Sequence, residues 1–179
     1  MDNYEKIESI YASKYNKSIT TRKSIGDFFL NDTHAVNVKS NDLNKNNYSP
    51  NIISASKVEK WLNGGKDLSF IFVDYIVRDN KIEIQNDTKL IPVQHISWDC
   101  LTIQAQGKGV IQKNKSLSIK ESSKEEWLKG LSEAYIIFIN KERIKLDKLE
   151  KKHAASTPRW TFLRSIRKIL KFSLDIDDK

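Results

Sequence analysis

Seven of the eight residues in the run Phe70-Ile71-Phe72-Val73-Asp74-Tyr75-Ile76-Val77 are apolar. A segment so continuous has no solvent face, so Ser69 to Val77 reads as a strand buried centrally in a sheet. Arg78-Asp79-Asn80 supplies turn chemistry. Lys81 to Gln85, with Ile82 and Ile84 alternating, reads as its antiparallel partner.

A second constraint lies upstream. Gly26-Asp27-Phe28-Phe29-Leu30, Asn31-Asp32-Thr33-His34 and Ala35-Val36-Asn37-Val38-Lys39-Ser40 predict a β-hairpin over about Ile25 to Ser40, turning at the Asn-Asp pair. The pleat sends Val36 and Val38 to one face and Asn37 and Lys39 to the other. Asp27, at the root of the first strand, can lie beside that polar face. An acid, an amide and an amine then converge at a sheet edge.

Helical periodicity predicts a helix over Asn3 to Tyr15, with Tyr4, Ile7, Ile10, Tyr11 and Tyr15 as its stripe. Glu5 and Glu8 fall near its first turns, where the helix dipole tolerates acids. Asn41 to Asn51 reads as an Asn-rich loop ending in Tyr48-Ser49-Pro50, and Pro50 as the start of a helix over Asn51 to Leu62. Leu90 to Gln94 is a short extended piece and Leu101 to Gln106 a half-buried strand. Gly107-Lys108-Gly109 reads as a turn. Ser123 and Glu126 form a capping box for a long helix reaching about Lys152. Thr157-Pro158 breaks it, and Arg159 to Phe172 has the pattern of a basic amphipathic helix.

The 179 residues suit one domain, and an apolar fraction of 39% suits a globular fold. No apolar run reaches the roughly 18 residues of a membrane span, and the start of the chain lacks a signal-peptide pattern. A lone Cys100 excludes an internal disulfide and reads as a buried structural thiol in a reducing cytoplasm. The net charge is +8, and it is unevenly placed. Residues 141–179 hold 12 Lys/Arg against 6 Asp/Glu, whereas residues 1–140 hold 19 against 17. A basic C-terminal region on a nearly neutral body points to a polyanion partner, most simply nucleic acid. A solvated helix face would carry the same charge.

A phosphodiesterase must place a water in line with phosphorus and neutralise charge on the phosphoryl oxygens. Asp27 is a hard oxygen ligand for Mg²⁺, Asn37 offers an amide oxygen, the Val38 carbonyl can add a third donor, and Lys39 is the amine that positions or deprotonates the water. Asp32 is a rival ligand, but its place in the turn leaves it solvated. His34 is expected to be exposed, and His95 and His153 show no ligand spacing.

Gly26 to Leu30, then Val36 to Ser40, then Ser49-Pro50-Asn51-Ile52-Ile53-Ser54-Ala55 resemble the PD-(D/E)XK type II restriction endonucleases, most closely their HincII/EcoRV-like branch. His95-Ile96-Ser97-Trp98 through Gln104 resembles that family's base-reading segment. Ser123 to Leu149 resembles its C-terminal helix, and Tyr4-Glu5-Lys6 its first helix. The resemblance implies an α/β restriction-endonuclease-like core, with a mixed central β-sheet flanked by helices. It implies a nuclease domain over 1–155 and a basic C-terminal segment over 156–179. The implied activity is Mg²⁺-dependent hydrolysis of duplex DNA to 5′-phosphates, with Mn²⁺ as a substitute, by a cytoplasmic homodimer without membrane attachment. Asp27, Asn37 and Lys39 take the catalytic positions, with Asp27, Asn37 and Val38 holding the metal. Asn37 is an amide where HincII-like enzymes carry a carboxylate. Tyr48, Ser49, Asn51 and Ser97 fall where the family contacts DNA. A structure-directed nuclease of the same fold, or a catalytically silent DNA-binding protein, are the alternative expectations.

Overall fold

The computed structural model describes residues 2–21, 24–45, 51–104, 109–113 and 116–153, with residues 151–153 described by backbone alone. The chain divides after Phe138 into one unit over residues 1–138 and a second beginning at Ile139. The expected helix over Arg159 to Phe172 lies outside the described residues.

Helix α1 (Asn3–Lys14) begins at a capping box in which Asp2 and Glu5 satisfy each other's backbone amides. The predicted hairpin follows as β1 (Phe28–Asn31) and β2 (His34–Asp42), paired antiparallel with Phe28 opposite Val36. After β3 (Asn51–Ser54) and helix α2 (Ala55–Asn63), the apolar run forms β4 (Asp67–Arg78). This strand lies parallel to β2, with Lys39 level with Phe72. Asp79 and Asn80 turn β4 into β5 (Lys81–Asp87) with positive φ angles of 49° and 59°, which their short polar side chains tolerate. β6 (Ile91–Pro92) pairs with the first half of β4, which completes a mixed five-stranded sheet. A second, antiparallel sheet joins β3, β8 (Val110–Lys113) and β7 (Leu101–Gln104).

The fold is therefore mixed α/β, with helices on both faces of the main sheet. On one face α1 places Ile7, Tyr11 and Ala12 against Phe28, Val36, Val38, Ile71, Val73 and Tyr75. On the other, Ala35, Leu68, Phe70 and Phe72 meet α2, the second sheet and Trp127 and Leu131. β4 contributes to both clusters, which is why its sequence shows no polar face. Tyr11 donates to the Asp87 carboxylate, which Lys14 also approaches at 3.5 Å, so the exposed edge strand β5 is tied to α1.

Two expectations require correction. The helix after Pro50 starts at Ala55, not Asn51, because Asn51 to Ser54 pair with β8 in the second sheet. The β-branched pair Ile52-Ile53 suits that strand better than a first helical turn. His34 is half-buried, with its Nε2 2.9 Å from the Ser69 hydroxyl across β2 and β4. Cys100 is buried as expected, and its thiol donates to the Ser97 carbonyl at 3.2 Å. No helix among the described residues is long and apolar enough to cross a membrane.

Helix α3 (Lys124–His153) opens with the predicted capping box: Ser123 N–H donates to Glu126 at 2.9 Å, and Glu126 N–H to the Ser123 hydroxyl at 3.1 Å. Its first turns are anchored by two indoles. Trp127 Nε1 donates to the Ile96 carbonyl, and Trp98 Nε1 to the Trp127 carbonyl, both at 2.9 Å. Gly130 makes room for Trp98, since a Cβ there would lie 2.4 Å from the indole Cδ1. Gly130→Ala is expected to lower stability by about 1–2 kcal/mol in denaturant unfolding, because the clash outweighs the gain in helix propensity. A rise of about 1 kcal/mol would mean that Trp98 moves freely.

Candidate active site

The site forms where β1 parts from β2. Asp27 N–H donates to the Val36 carbonyl at 2.8 Å, the last backbone bond at this end of the hairpin. Gly26 permits that approach, as a Cβ there would sit 2.8 Å from the Val36 carbonyl oxygen. Thr20 secures the same corner: its hydroxyl donates to the Gly26 carbonyl at 2.6 Å and its amide to the Asp27 carbonyl at 2.7 Å. One step further along β2, Asp27 Oδ2 accepts from Val38 N–H at 2.6 Å. A carboxylate thus replaces the missing strand partner. The N–H and C=O of a strand residue point to the same side, so the Val38 carbonyl shares the open edge with Asp27.

Asn37 is buried, at 6% exposed, and its Nδ2 donates to the Ile25 carbonyl at 3.1 Å. Its Oδ1 is buried with no hydrogen-bond partner among the described residues. Such an orphan acceptor costs about 1–3 kcal/mol, and almost all buried polar groups avoid it. Lys39, two residues on, is half-buried on the same face of β2. Burial lowers its pKa, against the opposing pull of Asp27 and Glu8. Burial likewise raises the pKa of Asp27, while Lys39 and the Val38 amide oppose that shift.

Glu8 is the residue that sequence reasoning missed. It sits half-buried on α1, between the turns that carry Tyr4 and Tyr11. Its pKa is raised to about 7, first by burial and then by Asp27, with Lys39 opposing. A signal was present. Tyr4, Glu8, Tyr11 and Tyr15 follow helical spacing, so the acid interrupts an otherwise apolar stripe instead of lying outside it.

Asp27 bonds the Val38 amide and interacts electrostatically with Lys39 and Glu8, and Asn37 bonds the Ile25 carbonyl, two residues before Asp27. Among the described residues no three His, Cys, Asp or Glu side chains gather as a metal-binding group. The available donors are two carboxylates, an amide oxygen and a backbone carbonyl, all hard oxygens of the kind that Mg²⁺ and Mn²⁺ accept. Asp32 is exposed in the β1–β2 turn.

The expected DNA-contacting residues are placed elsewhere or fall outside the description. Tyr48 and Ser49 lie outside the described residues, and Asn51 is exposed at the start of β3, opposite Gln112. Ser97 is occupied locally: its hydroxyl donates to Asp99 Oδ2 at 2.9 Å and accepts from Asp99 N–H at 3.2 Å. It borders a cleft of about 360 Å³ whose charged lining is Asp99, Glu121, Glu126 and Lys120. That balance is unfavourable for binding a phosphate.

The pKa of Glu8 has a consequence for stability. Its folded value of about 7 lies above the ordinary 4.5, so ionisation opposes folding. The associated stability is complete below about pH 4.5 and lost as pH rises through about 7. Thermal melts in chelator are therefore expected to show a falling melting temperature between pH 5 and 8, with Glu8→Gln flattening the slope. Equal slopes for the two proteins would contradict this placement of Glu8. In comparisons with known proteins, the chain matches no family model and no curated protein.

Proposed function

We propose that the protein is a divalent-cation-dependent DNA phosphodiesterase, acting as a sequence-specific type II restriction endonuclease. One observation carries the reading: the buried Asn37 Oδ1, on the strand that presents Lys39, lacks a partner among the described residues, and a carboxylate is held at the open edge of that strand. The site thus contains an acceptor that folding leaves unsatisfied, flanked by groups whose charged forms burial disfavours. Perturbed titrating groups gathered at one sheet edge are what hydrolytic chemistry needs. The resemblance to the PD-(D/E)XK enzymes rests on this same segment.

Asp27, Asn37 Oδ1 and the Val38 carbonyl would hold Mg²⁺ or Mn²⁺. When bound there, the cation supplies Lewis-acid polarisation of the phosphate and eases deprotonation of water. The chain's own groups do the rest. Lys39, with its pKa lowered by burial, orients the attacking water and accepts its proton more readily than an exposed lysine would. Water attacks phosphorus in line with the bond to the 3′-oxygen. That bond breaks, the 3′-oxygen takes a proton from solvent water, and a 5′-phosphate remains. The Val38 amide holds Asp27 fixed during this step, which limits reorganisation of the site.

Net charge of +8, concentrated beyond residue 140, supplies salt-sensitive affinity for the phosphate backbone. Cutting both strands of a palindromic site calls for two copies of the chain related by a two-fold axis. The neutral Asn37 favours one other reading, a DNA-binding protein without catalysis.

A plasmid library incubated with the protein and Mg²⁺ or Mn²⁺ separates these readings. The wild type is expected to yield discrete fragments bearing 5′-phosphates. Lys39→Ala should lose roughly 10²-fold or more in rate, and Asp27→Ala should bind DNA without cleaving it. Cleavage confined to branched or mismatched DNA would point to a structure-directed nuclease. If neither the wild type nor Asn37→Asp cuts any DNA with either cation, the enzymatic reading falls.

A further inference from the structure

We infer that the distal half of α3 is a docking face for the chain's own C-terminal segment, residues 159–172, which packs back along it as the second arm of a helical hairpin. The pairing lies within the second unit and is independent of the proposed activity. From Ile139, where that unit begins, α3 carries a row of apolar side chains at helical spacing: Ile139, Leu146 and Leu149. Ile139 and Leu149 are each 37% exposed, and Leu146 is half-buried. Glu142 falls on the same row, where it accepts from Lys145 at 2.6 Å. An apolar row left open to water on a helix calls for a cover.

The sequence that follows α3 supplies one. Trp160, Leu163, Ile166 and Leu170 recur at helical spacing, and Arg164, Lys168 and Lys171 fall on the opposite side of the same pattern. Thr157-Pro158 has the chemistry of a helix start, with Thr as the N-cap and Pro at the first position. Residues 154–157 then form a four-residue connector, within the roughly 2–5 residues that join antiparallel helices. The lengths agree: Ile139 to His153 spans about 22 Å of helix, and residues 159–172 would span about 21 Å. A single register satisfies both rows. Leu149 pairs with Trp160, Leu146 with Leu163 and Ile139 with Leu170, each pair equally far along the chain from the junction of Ala154 and Ala155. The same register sets Arg167 against Glu142, so the acid in the α3 row meets a cation. A helix this short is marginal alone in water, and the short tether holds it at an effective concentration of about a millimolar. Both favour this occupant over a second copy or a membrane surface. Docking leaves Arg164, Lys168 and Lys171 on the far side, open to a polyanion.

The test is amide hydrogen exchange of the full-length chain, read over residues 159–172. The wild type is expected to exchange there about tenfold or more slower than Leu146→Asp combined with Leu149→Asp, while peptides from β4 exchange alike in both proteins. Leu163→Asp combined with Leu170→Asp, which alters only the segment, should lose the same protection. Disulfide trapping identifies the partner. In a Cys100→Ser background, Leu146→Cys with Leu163→Cys should oxidise to a species of monomer mass roughly fivefold or more faster than Ile144→Cys with Leu163→Cys, since Ile144 lies across α3 from Leu146. Fast exchange over residues 159–172 in the wild type would overturn the pairing, as would equal trapping of the two cysteine pairs. Protection lost on dilution, with disulfides only at dimer mass, would assign the face to a second copy instead. Protection that appears only with phosphatidylserine vesicles would assign the segment to a membrane and overturn the pairing as well.

Discussion

The bond from the Val38 amide to the Asp27 carboxylate sets the geometry on which the candidate site depends. A β-strand whose neighbour diverges normally leaves its backbone to water or to another strand. Here β1 stops pairing after Asp27, and the side chain of that same residue takes the next amide of β2. One carboxylate oxygen is spent on structure, and its orientation fixes the other. The separation of the strands and the placement of the acid are thus a single event, enforced by the lack of a side chain at Gly26 and by the two Thr20 hydrogen bonds.

Around that bond the protein accepts several local arrangements that lower its stability. Glu8 is held where burial and the Asp27 charge disfavour ionisation, Asp27 where burial disfavours it, and Lys39 where burial disfavours its charge. Asn37 keeps a buried oxygen without a partner among the described residues. Each is unfavourable for folding alone, and Asp27, Asn37 and Lys39 lie on or beside β2. The surrounding packing tolerates this because β2 is braced on both faces, by α1 through Val36 and Val38 and by the larger cluster through Ala35. Concentrated strain of this kind at a site with hard oxygen donors is the pattern expected where a ligand completes the structure.

Strands with strong side-chain patterns were legible in the sequence. The period of two in Val36 to Lys39 separates Val36 and Val38 from Asn37 and Lys39, and the unbroken apolar run of β4 announces burial on both faces. Both signals are local, so no tertiary information was needed. The second sheet was largely hidden, because Val110 to Lys113 is four residues long and becomes a strand only by pairing with β3 and β7. The same pairing claims Asn51 to Ser54, which Pro50 made look like the start of a helix. Glu8 escaped notice because an acid in an early helical turn has an ordinary explanation in the helix dipole. Only the docking of α1 brings it near Asp27 and Lys39. Ser97 was singled out by resemblance to a base-reading segment, whereas locally it caps a short helical turn through Asp99.

The account stands or falls on whether a divalent cation occupies the corner between α1 and the open edge of β2. Anomalous diffraction from crystals of the protein soaked in Mn²⁺ would decide this directly. One strong peak bonded to Asp27, the Asn37 Oδ1 and the Val38 carbonyl is the predicted result. A density map with no peak there, and with Asn37 Oδ1 hydrogen-bonded to a protein group instead, would contradict it.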